Sequence, residues 1–544
     1  MRHLASIPLR LFLVCWIFYS LFFATNVVRE HYPAFTLIER GDWVCDRYAG
    51  FHADIFEHTD GHWYVGNNLL GSIPPALPLA LFDPLLDRLE SYRQRQLAES
   101  PEPPDATYET PYPNRRDLFR RVREAGLDLR FGASTAITSV LLMAPLSALF
   151  AVLMYQFLAA RAASRKRALW LAFLFAFATP VFYRTAHLNH NMFVMQAAFG
   201  AFLLLYGGPG ETYAPSLRRR LWAGLLCGVT FALDYAGAFP AAVLWAYFVL
   251  ARRSEVGLAK SLRESAALIL AALPPLAFLL GTQWAMYGDP FTPGQFVMRP
   301  VNFTDAGLKG ITLPNLQVFL KNLVMPGWGL YAFGPLLLLA LIPQRRRDGE
   351  LILPRRERRM ALVFIGTFMI FCSMNRYSLM QFNSGFRYLL PIVPFAFLQA
   401  SDFLARVPKR ALVVITVVCV AHTAVLSMTR AVSTTEKELL DRAAELGVSE
   451  LELDGYWRRM ATETHVPLSW RRVLKGGPEL PWLTVLAQTS PGKPWLKGPI
   501  LPAGLLILTS GALLALWRLG RLGRLGAAGG AIGAGRGQDV GSLP

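Results

Sequence analysis

The chain has 544 residues, of which 53% are hydrophobic and only 17% charged, and its mean hydropathy is +0.33. Soluble domains carry roughly 25% charged residues, so this composition excludes a string of soluble domains and indicates a membrane protein. The net charge of +18 does not indicate nucleic-acid binding, because the basic residues lie between apolar runs. Four of the five cysteines also lie in apolar runs, which excludes a disulfide scaffold and a cysteine zinc site.

Apolar runs recur along the whole chain. The first, 11–28, is too long for the core of a signal peptide, and we expect a retained membrane anchor there. Eleven more follow at 132–160, 168–183, 192–207, 221–234, 236–251, 265–287, 328–343, 360–375, 388–405, 411–429 and 499–517. The sequence therefore predicts an all-α polytopic membrane protein with about 12 transmembrane helices.

The basic clusters predict the orientation, because Lys and Arg in short loops stay on the cytoplasmic side. The clusters recur in alternate loops, which places both termini in the cytoplasm and the protein in a cell membrane, with a bacterial inner membrane the expected one. The clusters at 218–220 and 252–260 must share one side, so the segment between them should form a short helical hairpin bent near Asp234. Such clusters also attract anionic membrane lipids.

Three parts follow from this topology. Residues 1–430 are expected to form a transmembrane module whose long external loop is 29–131. Residues 431–498 form an external segment, and 499–544 hold the last transmembrane helix and a basic, Gly-rich cytoplasmic tail.

The external loop 29–131 should contain short helices along the membrane surface. Residues 33–40 read as a helix that ends at Gly41. After the proline-broken stretch 73–82, Asp83 as N-cap and Pro84 at the first position predict an amphipathic helix. Asn114 should cap another helix beyond a Pro-rich linker.

Acidic residues concentrate in this loop, which holds 17 of the chain's 37, whereas the predicted spans hold almost none at mid-depth. That distribution disfavours an ion-coupled transporter, which needs polar groups near the bilayer centre. Sugar sites need carboxylates to take a proton and aromatic faces to stack on the ring. The candidates are Glu30, Asp42, Asp46 and Asp54, interleaved with His62 and Tyr64; the alternative for each acid is a solvated loop position.

Further polar residues stand at other predicted external turns. His187 and His190 have helical spacing and could bind a metal, or a phosphate together with Arg184, although interfacial hydrogen bonding is the alternative. Asp234 could be a helix cap or a site residue. Arg376 and Arg387 at the membrane edge suit a lipid phosphate or lipid headgroups. The sequence has no Walker loop, so ATP is not indicated.

Several short strings together resemble the GT-C superfamily of membrane glycosyltransferases, and more closely the bacterial family 39 type related to protein O-mannosyltransferases and aminoarabinose transferases. They run in family order and are LIERGDW at 37–43, DGHWY at 60–64, ATP at 178–180, the downstream His190, ALDY at 232–235, YGDP at 287–290, GWGL at 327–330 with GP at 334–335, and GFRYLLP at 385–391.

The resemblance implies transfer of a sugar from a polyprenyl-phosphate carrier to an envelope glycan, lipid or protein on the external face, with inversion and no required cofactor; a divalent metal stays open. It implies that Asp46, Asp54 or Asp42 is the base and that Arg387 faces the lipid phosphate. The remaining residues expected to bind substrate are Glu30, His62, Tyr64, His187, His190, Asp234 and Arg376.

This chain departs from many relatives at two places. It has Arg29-Glu30 where they have an Asp-Glu pair, and it reads GNNLLG at 66–71 where they have an acid followed by Lys and Pro-Gly. Two other function classes remain open from the sequence, a flippase or transporter of lipid-linked envelope precursors and a non-catalytic membrane assembly protein.

Overall fold

The computed structural model describes residues 6–25, 27–52, 54–99, 113–208, 212–298, 307–327, 329–344, 350–375, 387–429, 465–489 and 493–533. These residues are almost entirely helical. The one sheet within them is an antiparallel hairpin of β1 (Ile55–Glu57) and β2 (Trp63–Val65), in which Phe56 pairs with Tyr64.

The helices before the middle of the chain are α1 (Ile7–Ser20), α2 (His31–Arg40), α3 (Ile73–Glu99), α4 (Pro113–Glu124), α5 (Asp128–Thr138), α6 (Ala144–Ala159), α7 (Arg165–Phe177), α8 (Val181–Arg184), α9 (His190–Leu205), α10 (Leu217–Leu233), α11 (Ala238–Val256) and α12 (Leu258–Tyr287). A π-helical turn, Ser139–Met143, joins α5 to α6 without a break. Apolar side chains cover most of these helices, so their faces bury against one another or meet lipid.

The later helices are α13 (Gly294–Val297), α14 (Leu316–Val324), α15 (Leu330–Phe333), α16 (Arg355–Met374), α17 (Val393–Leu404), α18 (Lys409–Met428), α19 (His465–Gly476), α20 (Pro481–Thr489) and α21 (Ile500–Gly533). Two predicted spans are less regular than expected. The run 328–343 divides at Gly334-Pro335 into α15 and the 3₁₀ helix Pro335–Leu341, since proline removes a backbone donor. The run 388–405 begins as the 3₁₀ helix Arg387–Ile392 before α17.

Within the part of the chain that the structure describes, six helical stretches are long and apolar enough to cross a membrane, namely Leu69–Glu99, Asp128–Ala159, Tyr235–Val256, Leu258–Tyr287, Lys409–Met428 and Ile500–Arg518. Two shorter apolar helices, Ile7–Ser20 and His190–Leu205, accompany them. The chain is therefore an all-α polytopic membrane protein, as the sequence predicts. The number of twelve crossings and the orientation of the termini stay predictions.

Local signals explain two predicted features that the structure contains. Gly41 ends α2 with a φ of +74°, a conformation that glycine adopts without strain. The helices α10 and α11 form the predicted hairpin, and Asp234 accepts a hydrogen bond from the backbone N–H of Ala236 at its bend.

The prediction for residues 73–99 was wrong in one respect. Helix α3 is continuous through Pro78 and Pro84, and Asp83 does not begin a new helix. Its carboxylate instead accepts a hydrogen bond from Arg130 of α5, at 3.1 Å. The Asp83 side chain thus forms a tertiary ion pair instead of the helix cap that the local pattern predicted.

Arg130 ties helices α2, α3 and α5 together. Its guanidinium is buried, with 1% of the side chain exposed, and it pairs with Glu39 of α2 at 3.0 Å and with Asp87 of α3 at 2.6 Å, besides Asp83 and Glu90. Because burying an unpaired charge is costly, these carboxylates are what permits the arginine to lie inside. The result is one rigid layer of α2, α3 and α5.

The described end of the external segment packs on the bundle. Trp470 of α19 donates to the ring of His422 on α18 at 3.1 Å, and Trp482 of α20 donates to the carbonyl of Leu21 at 3.0 Å while its ring stacks on Phe23. Arg10 of α1 donates to the carbonyl of Trp517 on α21. Residues 431–464 and 490–492 of the predicted segment 431–498 lie outside the described part of the chain.

Candidate functional site

A polar cavity of about 110 Å³ opens on the predicted external side. Three distant parts of the chain form it. They are the start of the predicted first external loop together with residues just before β1, the turn before α9, and the first residue of the 3₁₀ helix Arg387–Ile392. The lining residues are Val28, Arg29, Glu30, His52, Asp54, His187, Leu188, Asn189 and Arg387. Both basic and acidic side chains therefore converge on one small space.

Hydrogen bonds fix the backbone that carries the acids. Glu30 directly precedes α2, whose first residue, His31, is held on α5 by a 3.0 Å contact with the hydroxyl of Thr138. The N–H of Asp54 donates to His52 at 3.0 Å, and the Asp54 carbonyl accepts from the N–H of Gly66 beyond the hairpin. The backbone beneath both carboxylates is thus anchored.

Arg29 lies between the two acids of the cavity. Its Nη1 donates to Oδ2 of Asp54 at 2.7 Å, and its Nε is 3.5 Å from Oε1 of Glu30. The two acids differ in accessibility, since 27% of the Asp54 side chain is exposed but only 6% of that of Glu30. Asp54 is consequently the carboxylate that a substrate could reach.

Electrostatics keep both acids ionised. Burial favours the neutral carboxyl group of Asp54, but the charges of Arg29, His52 and Arg387 and the hydrogen bond from Arg29 outweigh it and lower its pKa. Burial likewise opposes ionisation of Glu30, and His190, Arg29 and Arg387 together hold its pKa well below the usual range. Burial lowers the pKa of His52, against the charge of Asp54, so that ring is neutral.

Behind the cavity, Glu30 continues into a chain of buried polar groups. Its Oε1 is 2.5 Å from Nδ1 of His190, whose Nε2 is 3.1 Å from Oδ2 of Asp234. Asn191 donates to the same Asp234 oxygen at 3.3 Å. A histidine with a carboxylate on each ring nitrogen can donate to both only as an imidazolium. This series of hydrogen-bonded side chains joins the first loop, α9 and the α10–α11 hairpin.

The sequence-predicted residues divide into two groups. Glu30, Asp54, His187 and Arg387 line the cavity, and His190 and Asp234 reach it through Glu30. Asp234 caps the bend of the α10–α11 hairpin and also pairs with His190. His187 and His190 have different surroundings, and no group of three potential metal ligands occurs among the described residues.

The other predicted residues lie on the hairpin side of the loop and do not line the cavity. Asp46 pairs with His62 at 2.9 Å and accepts from the N–H of Trp63. Slight burial opposes ionisation of Asp46, but Trp63 and His62 lower its pKa, and the hydrogen bond and charge of Asp46 raise the pKa of His62. Asp42 pairs with Arg40 at 3.1 Å.

On the same side of the loop, the hydroxyl group of Tyr64 donates a hydrogen bond to Asp60 at 3.0 Å. Arg376, the remaining predicted residue, lies outside the described residues. Three polar lining residues were not among the predicted site residues, namely Arg29, His52 and Asn189. Arg29 had a usable signal, since it stands where the chain departs from the Asp-Glu pair of many relatives; His52 and Asn189 had none beyond their neighbourhood.

Comparison with known proteins finds structural similarity to solved structures. No family model matches the chain, and no curated protein does. The chain is similar to the crystal structure of ArnT from Cupriavidus metallidurans in the apo state, at 15% identity over 88% of this chain and 75% of that chain, with a TM-score of 0.45. It is also similar to the same protein bound to undecaprenyl phosphate, at 14% identity over 90% of this chain and 78% of that chain, with a TM-score of 0.47.

Proposed function

We propose that this protein is a membrane glycosyltransferase that moves a sugar from a polyprenyl-phosphate donor to an envelope glycan, lipid or protein on the external face. One observation carries the proposal. Asp54 from the first external loop and Arg387 from the late external turn, far apart in the chain, line the same cavity. Such a transfer needs both a proton acceptor and a binding group for the leaving phosphate.

The cations of the cavity suit the donor. A polyprenyl-phosphate sugar is a phosphodiester, and its phosphate gains negative charge as the bond to the sugar breaks. Guanidinium groups hold phosphate oxygens with directed, charge-assisted hydrogen bonds, and Arg387 and Arg29 both line the space. Because the leaving group is already a phosphate, the reaction needs no nucleotide and we propose no cofactor.

Asp54 is our candidate base. In the proposed step the acceptor hydroxyl oxygen bonds to the anomeric carbon, its proton passes to Asp54, and the electron pair of the breaking C–O bond goes to the phosphate. Attack opposite the leaving group inverts the anomeric carbon. Among the three acids expected as bases, Asp54 lines the cavity, whereas Asp42 and Asp46 do not.

We assign the hairpin side of the loop to the acceptor. Asp46 and His62 are 38% and 53% exposed and adjoin the aromatic Trp63, an arrangement that can hydrogen-bond hydroxyl groups. Asp42 and Tyr64 lie on the same side of the loop. Glu30, held by His190, would support the donor end by fixing Arg29.

The test is turnover of the purified protein in lipid with a panel of polyprenyl-phosphate sugars, followed by release of free polyprenyl phosphate. We expect donor-dependent release that falls at least about 100-fold in Asp54→Asn and in Arg387→Ala. Asp46→Asn should lose less activity, and Asp289→Asn, an exposed external acid outside the cavity, should lose none.

Release that survives in Asp54→Asn would remove the assigned base. No release with any donor, while lipid-linked precursors cross the bilayer in a protein-dependent way, would favour the flippase and overturn the transferase.

A further inference from the structure

The ion pair between Arg29 and Asp54 occupies the two groups that the proposed reaction needs. Arg29 presents its Nη1 to Oδ2 of Asp54 at 2.7 Å inside the cavity. While this contact lasts, that guanidinium edge is closed to a phosphate, and one oxygen of the base is taken. Donor binding therefore has to change this pair.

Resting on the proposed function, we propose that the donor phosphate displaces Asp54 from Arg29, so that Asp54 is free to accept the acceptor's proton only when donor is bound. The ion pair is then a lock on the base, and the donor opens it. Binding is ordered, with the lipid donor before the acceptor.

The surroundings of the pair favour this exchange. Arg387 lines the same cavity, and among the described residues its buried Nε has no hydrogen-bond partner, so a phosphate placed there meets a cation that no carboxylate occupies. A phosphate between Arg387 and Arg29 can share both guanidinium groups. The Asp54 carboxylate, which pairs with Arg29 alone, is stabilised less than such a phosphate, because the phosphate has more acceptor oxygens and becomes more negative during transfer.

The acids differ in their freedom to move. Asp54 needs only a side-chain rotation, because its N–H and carbonyl stay bonded to His52 and Gly66 and a quarter of its side chain is already exposed. Glu30 is held at 2.5 Å by His190 and cannot serve as the moving acid.

The lock has two chemical consequences. Without donor, the carboxylate is engaged and does not activate water or an acceptor in an empty site. After transfer, Asp54 carries the proton from the acceptor; once it loses that proton to water, it competes again for Arg29 and helps to expel polyprenyl phosphate.

The test measures binding of undecaprenyl phosphate to the full-length protein in nanodiscs, by native mass spectrometry. Asp54→Asn should bind roughly tenfold more tightly than wild type, because the internal competitor for Arg29 is gone, a coupling of ordinary size for linked sites. Asp54→Glu keeps a competing carboxylate and should bind like wild type. Asp289→Asn controls for the loss of any external acid.

Two further backgrounds separate competition from simple charge repulsion. Asp54→Asn should still tighten binding in Arg387→Gln, which leaves Arg29 in place, but should not tighten it in Arg29→Gln. Equal tightening in both backgrounds would mean that Asp54 only repels the phosphate, and the lock would be wrong. Unchanged binding in Asp54→Asn alone would also overturn it.

Failure of the proposed function is read separately, as the absence of donor-dependent release of polyprenyl phosphate in the turnover assay, whatever the variants bind. Thermal denaturation of each variant verifies that it is folded before binding is compared.

Discussion

At the scale of single residues, the most constrained group is His190. It stands at the first position of α9 with Glu30 on one ring nitrogen and Asp234 on the other, and all three side chains are largely buried. Buried charges stay in place only when every member has its partner. His190 therefore holds Glu30, and with it Arg29, in position, and acts on the proposed reaction without touching substrate.

Glu30→Gln should lower the free energy of unfolding at pH 7 by roughly 3 kcal/mol, because it leaves the imidazolium of His190 with one anionic partner. The pKa of Glu30 is lower in the folded than in the unfolded protein. Its contribution is thus fully present above the unfolded pKa of roughly 4.3 and declines as pH falls towards the folded value.

Chemical denaturation of both proteins in mixed micelles from pH 7 to pH 3.5 measures this effect. The gap between wild type and Glu30→Gln should narrow below about pH 4.3. Because Glu30 also raises the pKa of His190, the gap should narrow again at higher pH, where that imidazolium loses its proton. Glu99→Gln, at an exposed position of α3, is the matched control and should follow wild type. A gap that does not change with pH would contradict the assigned charge on Glu30.

At the scale of elements, Arg130 determines how the external helices are placed. It joins α2, which follows Glu30, to α3 and α5 through four carboxylates. The cavity depends on this layer because Glu30 directly precedes α2.

Arg130→Met should release the layer, since it removes the shared cation and leaves Glu39, Asp83, Asp87 and Glu90 close to one another. We expect faster amide hydrogen exchange in α2 and in the first half of α3, with an overall loss of roughly 3–5 kcal/mol. Arg95→Met, an exposed arginine of α3, should leave exchange unchanged. Protection equal to wild type in Arg130→Met would show that apolar packing alone holds the layer.

The same elements show what the sequence could and could not predict. Apolar runs and Gly41 predicted the helices and the end of α2, because those signals act within a few residues. The cap assigned to Asp83 failed because Arg130, 47 positions along the chain, competes for its carboxylate.

The site was predictable to a similar extent. Residue type and the resemblance pointed to Asp54 and Arg387, which line the cavity, and the departure from the Asp-Glu pair pointed to Arg29, whereas Asn189 becomes recognisable only once the fold brings it there. Nothing local distinguishes Asp54, which lines it, from Asp46, which does not.

At the scale of the whole molecule, the proposed function depends on the orientation of the protein in the membrane. The burial of its cysteines allows that orientation to be measured. All five cysteines are free and buried. A single cysteine placed on the surface should therefore react alone with a membrane-impermeant maleimide. The exposed positions Thr59, in the hairpin turn, and Ala163, between α6 and α7, lie on opposite predicted sides.

In intact cells Thr59→Cys should be labelled, and Ala163→Cys should be labelled only after the membrane is opened. Wild type is the control and should stay unlabelled under both conditions. Labelling of Ala163→Cys alone in intact cells would invert the topology and move the cavity to the cytoplasm.

The contacts between the two ends of the chain also bear on how the protein is made. The carbonyl of Leu21 receives its hydrogen bond from Trp482, 461 positions later, and Arg10 bonds to Trp517 across 507. Helix α1 thus leaves the ribosome long before the residues that complete its set of neighbours. During synthesis it must wait in the bilayer or beside an insertion factor, and translation that stops early leaves it exposed to membrane quality-control proteases.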